Sequence, residues 1–186
     1  MDTLWISTGI VAIAEIGDRT QLLALLLAAR YRKPLVIIAG ILVATILNHA
    51  IAAGLGVLIA DWLGGRWFQL LVGAGFLVMA AWALVPDQED EDALGKAHGG
   101  VFLTTLIAFF LVEIGDKTQI ATSLLAARFT DIVLVTIGTT LGMMLANVPV
   151  VYFGEATTKV VPLRYVRYAA AALFVVIGLW VIVAAA

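Results

Sequence analysis

The sequence predicts an all-α integral membrane protein: six transmembrane helices arranged as two inverted three-helix repeats. Three observations carry that expectation. First, 63% of the 186 residues are hydrophobic, only 13% are charged, and the mean hydropathy is +1.08. A soluble domain carries about 25% charged residues. Second, the apolar residues fall into six runs, each near the roughly 20 residues a helix needs to cross a bilayer. Third, the string Glu15-Ile16-Gly17-Asp18-Arg19-Thr20-Gln21 returns 98 positions later as Glu113-Ile114-Gly115-Asp116-Lys117-Thr118-Gln119. Three spans in each half is an odd number, so the two halves insert with opposite orientation.

The first run extends from Leu4 to about Ala29 and carries the first string. Asp2 is acidic where a secretory signal would be basic, and no small-residue cleavage pattern precedes the string. The run is therefore expected to stay in the mature protein. Arg30-Tyr31-Arg32-Lys33 ends it, and Pro34 suits the first turn of the next helix. The second run goes from Leu35 to about Ala60, and a polar turn from Asp61 to Arg66 leads to the third, Trp67 to Val85. Residues 1–86 thus form the first repeat. Residues 87–100 begin Asp87-Gln88-Glu89-Asp90-Glu91-Asp92 and read as a solvated acidic linker.

Residues 101–186 form the second repeat. Its first run, Val101 to Ala127, carries the second string; the next goes from Ile132 to about Phe153. Glu155 to Arg167 is amphipathic and contains Pro162, and the last run starts near Tyr168. The repeat reaches beyond the strings. Leu26-Leu27-Ala28-Ala29-Arg30 matches Leu124-Leu125-Ala126-Ala127-Arg128 at the same offset, as do Gly40 and Gly138, Gly56 and Gly154, Arg66 and Arg164, and Trp82 and Trp180. The glycine pairs Gly54 and Gly56, Gly73 and Gly75, and Gly138 and Gly142 are expected to allow close helix packing. Trp5, Trp62, Trp67, Trp82 and Trp180 read as interfacial anchors.

Loop charges orient the chain. Arg30, Arg32, Lys33, Lys96, Lys159, Arg164 and Arg167 fall on the linker side; only Arg66 and Arg128 fall opposite. Basic residues favour the cytoplasm, which puts the linker inside and both termini outside. The chain has no cysteine, which removes thiolate metal sites and catalytic thiols. It has no basic face for nucleic acid, and no nucleophile–base constellation or phosphate loop that would mark an enzyme.

Carboxylates and bases inside apolar spans are expensive and point to an ion pathway. On a regular helix Glu15, Asp18 and Arg19 share a face, as do Glu113, Asp116 and Lys117, while Thr20 and Thr118 point elsewhere. Gly17 and Gly115 allow the helix to open there instead. Ten residues separate Trp5 from Glu15, about 15 Å of helix, which is near the bilayer midplane. The metal ligands read from this pattern are Glu15, Asp18, Glu113 and Asp116. Thr20, Gln21, Thr118, Gln119, Asn48 and Asn147 are candidate supporting groups, and Pro149 frees a backbone carbonyl nearby. Arg19 and Lys117 either tune the site or only pair with the acids. His49 is either a packing residue or a ligand or proton carrier. Met143 and Met144 read as packing. An all-oxygen set suits Ca²⁺, Mn²⁺ or Mg²⁺ over Zn²⁺ or Cu⁺. Four carboxylates against two bases leave a deficit that one divalent cation or two protons would neutralise.

The paired Glu-x-Gly-Asp-Arg/Lys-Thr strings, with Asn48-His49 and Asn147-x-Pro149, resemble the small cation/proton antiporters that include Golgi Mn²⁺/Ca²⁺ transporters and bacterial Mn²⁺ exporters. The resemblance spans essentially the whole chain. It implies that the string acids bind the transported cation without settling which cation that is; Mn²⁺ is expected first and Ca²⁺ next, exchanged for H⁺, with no cofactor. Alternating access between the inverted halves is expected, in a bacterial inner membrane, with monomer and homodimer both open. A divalent-cation channel and a non-transporting structural membrane protein are the alternatives from other classes.

Overall fold

The computed structural model describes residues 2–85, 99–154 and 163–186. The acidic stretch 87–98, with Lys96, and residues 155–162, with Lys159 and Pro162, lie outside the described residues. Among the described residues the chain forms eight α-helices and no strand. They are α1 (Asp2–Glu15), α2 (Arg19–Tyr31), α3 (Pro34–Leu63), α4 (Gly65–Ala83), α5 (Val101–Glu113), α6 (Lys117–Phe129), α7 (Ile132–Phe153) and α8 (Leu163–Ala185). Four of them, α3, α4, α7 and α8, are long and apolar enough to cross a membrane.

Two of the six expected runs are not continuous helices. The first divides into α1 and α2 and the fourth into α5 and α6, in both cases inside the repeated string. The physical cause is local. Gly17 and Gly115 adopt φ of 81° and 76°, the left-handed region that costs other residues about 1–2 kcal/mol. The aspartates that follow are extended, with φ −80° and ψ 165° at Asp18 and φ −76° and ψ 164° at Asp116. A left-handed residue followed by an extended one ends one helix and starts another. The same likeness recurs where α2 and α6 end. Arg32 and Thr130, at matching positions, take φ of 50° and 53° and donate their N–H groups to the Ala28 and Ala126 carbonyls at 3.0 and 2.8 Å.

The halves interlock. The helix α1 packs on α7, α3 packs on α5 and α6, and α4 packs on α8. Each half's middle helix therefore lies against the broken helix of the other half. Matching contacts support this arrangement: Gly40 of α3 abuts Thr105 of α5, and Gly138 of α7 abuts Leu4 and Ser7 of α1.

Helix α3 shows what holds such an assembly. Beyond Ile37 and Ile41 its buried stripe is small or polar: Gly40, Ala44, Thr45, Asn48, His49, Ala52, Ala53, Gly56 and Ala60. Its exposed face is large and apolar, with Leu35, Leu42, Leu47, Ile51, Leu55 and Leu58. That is the reverse of a soluble helix, and it fits a lipid environment in which close backbone approach, not apolar burial, drives association. Trp5, Trp62 and Trp67 are 65%, 87% and 80% exposed, as interfacial anchors would be. Trp82 instead packs on the core, and Trp180 lies 4.6 Å beneath the Arg128 guanidinium.

The glycine pairs are not equivalent. A Cβ at Gly56 would overlap the carbonyl oxygen of Ser123 in α6, and one at Gly142 would sit 2.6 Å from the Thr8 carbonyl of α1. Nothing lies within 4 Å of a Cβ at Gly54, so the expected close packing at that position is absent. Gly56→Ala is expected to destabilise the detergent-solubilised protein by about 1–3 kcal/mol through backbone displacement. Gly54→Ala should be neutral or stabilising by about 0.5–1 kcal/mol. Thermal unfolding of the two variants side by side checks this contrast. At the helix breaks, Gly115→Ala has open space but the wrong backbone preference. It should lower the midpoint, and Gly115→Asn should lower it less, because Asn tolerates the left-handed region.

Candidate metal site

The two breaks set the site. Glu15 and Glu113 are the last residues of α1 and α5, Asp18 and Asp116 stand at the N-cap positions of α2 and α6, and the Asp116 side chain caps its helix by accepting from the Thr118 N–H. The backbone folds tightly between each pair, with the Asp18 N–H donating to the Glu15 carbonyl and the Asp116 N–H to the Glu113 carbonyl, both at 3.1 Å. All four acids are buried, none more than 5% exposed. Each aspartate also meets the N-terminal end of a helix, where unpaired N–H groups favour negative charge.

The acids do not form a symmetric quartet. One oxygen each from Glu15, Asp18 and Asp116 lie within 4.8 Å of one another, a triad drawn from both copies of the string. Glu113 stands beside it, with the Thr118 hydroxyl contacting both Glu113 and Asp116. Glu113 Oε1 accepts from the Thr118 hydroxyl at 2.9 Å and lies 3.4 Å from His49 Nε2. Glu15 Oε1 in turn accepts from Asn147 Nδ2 at 3.2 Å. His49 and Asn147 are matching residues on α3 and α7, and each meets the glutamate of the other half.

Gln21 and Gln119 close the breaks. The Gly17 N–H donates to Gln21 Oε1 at 2.8 Å and the Gly115 N–H to Gln119 Oε1 at 2.7 Å. The amide nitrogens tie these turns to the neighbouring helices, Gln21 to the Ala146 carbonyl at 2.9 Å and Gln119 to Asn48 Oδ1 at 3.3 Å. Asn48 passes the link on to the Phe110 carbonyl at 3.1 Å. The oxygens of Gln21, Gln119 and Asn48 are thus engaged in holding the backbone. Others are not: Glu15 Oε2, Glu113 Oε2, Thr20 Oγ1 and Asn147 Oδ1 are buried with no hydrogen-bond partner among the described residues. Buried polar atoms normally find partners, and unpartnered carboxylate and amide oxygens are the kind of donor a hard cation takes.

Two expectations from a regular helix change. Arg19 does not lie along Glu15; the break swings it across to the other copy, where Nη2 donates to Asp116 Oδ1 at 3.0 Å. The Lys117 ammonium donates to the Val85 carbonyl at 3.1 Å. Thr118 does not point away. The turn brings its hydroxyl to Glu113 and, at 3.2 Å, to Asp116 Oδ2, and its N–H caps the same oxygen at 3.4 Å.

Met143, read from the sequence as packing, is fully buried, and its Sδ accepts from Asn147 Nδ2 at 3.0 Å. It stands one helical turn before Asn147, a spacing that could have drawn notice. The carbonyls of Ala146, Phe110 and Val85 carry no side-chain signal at all. A narrow cleft lined by Gly17, Ala83, Lys117 and Arg167 reaches the first break from between the end of α4 and the start of α8.

A family model described as "Divalent cation/proton antiporter GDT1" matches residues 3–91 and 101–186. The chain is 51% identical over 181 residues to the Vibrio cholerae protein named "Putative manganese exporter", which covers 96% of this chain and 90% of that protein. It is 29% identical over 168 residues to "GDT1-like protein 3" of Oryza sativa, covering 76% of this chain and 59% of the rice protein. No solved structure matches it. The chain therefore belongs to the GDT1 family of divalent cation/proton antiporters.

Proposed function

We propose that this chain is a bacterial inner-membrane transporter that exports Mn²⁺, with Ca²⁺ as a second cation, in exchange for H⁺. The observation that carries the reading is the triad of Glu15, Asp18 and Asp116, buried and assembled from both copies of the string. Its oxygen donors favour hard divalent ions, and the name of the Vibrio cholerae relative favours Mn²⁺ among them.

In this reading the two broken helices and the four long ones make six spans in two inverted repeats, residues 1–86 and 101–186. The linker 87–100 is cytoplasmic and the termini lie outside. Broken helices expose backbone ends and acids at mid-depth, where an ion can be bound between halves. Glu15, Asp18 and Asp116 hold the ion, with Glu113, Asn147 and Thr20 offering further oxygens. Gln21, Gln119, Asn48 and Thr118 fix the turns that aim those oxygens. Rocking of one half against the other exposes the site to each side in turn, and the cleft beside Lys117 and Arg167 is the approach from the linker side. Protons arriving from outside neutralise the acids and release the metal, consistent with the deficit of two positive charges.

Proteoliposomes recording Mn²⁺ uptake and internal pH together test this. Mn²⁺ movement should be matched by opposite proton movement, and should persist against a Mn²⁺ gradient when a pH gradient drives it. Flux with no proton counter-movement would sink the exchange. Glu15→Gln, Asp18→Asn and Asp116→Asn should each reduce uptake to the level of protein-free liposomes while eluting as folded protein. Each should also weaken Mn²⁺ binding by at least about tenfold, or about 1.4 kcal/mol. Glu113→Gln should abolish uptake with a smaller loss of affinity, because Glu113 lies beside the triad; calorimetric titration separates the cases.

A further inference from the structure

We propose that Arg19 is a built-in counter-cation, a guanidinium that occupies Asp116 while the metal is away and must leave Asp116 for the metal to bind. The inference rests on reading Glu15, Asp18 and Asp116 as the metal site.

Both oxygens of Asp116 are engaged. Oδ2 accepts from the hydroxyl and N–H of Thr118 at 3.2 and 3.4 Å, and Oδ1 accepts from Arg19 Nη2 at 3.0 Å. The Thr118 contacts belong to the first turn of α6 and can persist beside a metal, since a carboxylate oxygen has two lone pairs. The Arg19 contact cannot. A guanidinium at hydrogen-bond distance from a ligand oxygen stands within a few ångströms of a divalent ion on the same carboxylate, and the two charges repel strongly where water is excluded. Removing one partner of such a pair, in turn, leaves a buried carboxylate exposed to the full cost of desolvation. A basic residue that covers Asp116 between metal-binding events avoids that cost.

The geometry gives Arg19 room to do this. Its side chain is 27% exposed, whereas that of Asp116 is 3% exposed. Its Nε makes no hydrogen bond among the described residues, so the Asp116 contact is not reinforced at that atom. Arg19 and Asp116 also come from different copies of the string, so the pair joins the two broken helices directly. Metal binding that displaces Arg19 would change a contact between the halves as well as the occupancy of the site. Arg19 is then a positioning residue whose charge competes with substrate, and it touches the metal at no stage.

The test uses the full-length protein in lipid nanodiscs with Mn²⁺ as the probe, titrated calorimetrically, and the same variants in proteoliposomes. Arg19→Gln should bind Mn²⁺ at least tenfold more tightly than the parent and show a lower KM together with a lower kcat, because release loses its competitor. Arg19→Lys, which keeps the charge, should restore affinity to within about threefold of the parent. An Arg19→Gln affinity that is unchanged or weaker overturns the proposal, since a merely structural ion pair would behave so. Asp18→Asn serves as the reference. If it loses Mn²⁺ binding while Arg19→Gln gains none, the metal site stands and the counter-cation fails; if Asp18→Asn binds normally, the site itself fails. Should Arg19→Gln not fold, the unsubstituted protein still decides. Peptide mapping after phenylglyoxal treatment should show Arg19 modified faster at saturating Mn²⁺ than without it, and equal or slower modification overturns the proposal.

Discussion

A carboxylate removed from water must be compensated locally, and this protein places four of them in its buried interior. Nearly every unusual feature of the fold is a response to that constraint. Helix N-termini are brought to the two aspartates, where unpaired backbone N–H groups favour negative charge. Hydroxyl, amide and guanidinium donors reach them from other elements: Thr118 to Glu113, Asn147 to Glu15 and Arg19 to Asp116. Glu15 Oε2 and Glu113 Oε2 stay without a hydrogen-bond partner among the described residues.

The breaks serve this economy. A continuous helix through residues 4–29 would satisfy its own backbone and leave the acids strung along one face. Opening it at Gly17 moves Asp18 to a helix N-terminus and frees peptide groups, which the adjacent glutamine then satisfies. Gln21 bonds the Gly17 amide and Gln119 the Gly115 amide. In each copy the glycine and the glutamine therefore work as one device, one permitting the turn and the other sealing it. Irregular backbone away from water needs protein or a polar cavity around it, and here α3 packs on α5 and α6 and α7 packs on α1 and α2.

The interlocking of the halves explains why the site is shared. Because α3 lies on α5 and α6 while α7 lies on α1, polar residues of each half reach the acids of the other. His49 meets Glu113 and Asn147 meets Glu15. Arg19 of one copy reaches Asp116 of the other, and Lys117 reaches the Val85 carbonyl at the end of the first half.

The sequence by itself determined the helical class, the long apolar helices α3, α4, α7 and α8, and the repeated acid-bearing strings. Those features follow from composition, hydropathy and an exact spacing, all of which are local. It also marked Gly17 and Gly115 as places where a helix could open. Only the tertiary structure decided that both helices do break, and that the breaks turn Thr118 inward and send Arg19 to Asp116 in place of Glu15. It alone separated Glu113 from the triad, drew Met143 toward Asn147, and left Gly54 open where Gly56 is tightly packed. The physical reason is that a glycine permits a left-handed turn without requiring it. Whether the turn forms depends on what can satisfy the freed peptide groups, and the direction of each side chain beyond it depends on which helix lies across from it. Those are long-range facts, set by how α3 and α7 pack against the opposite half.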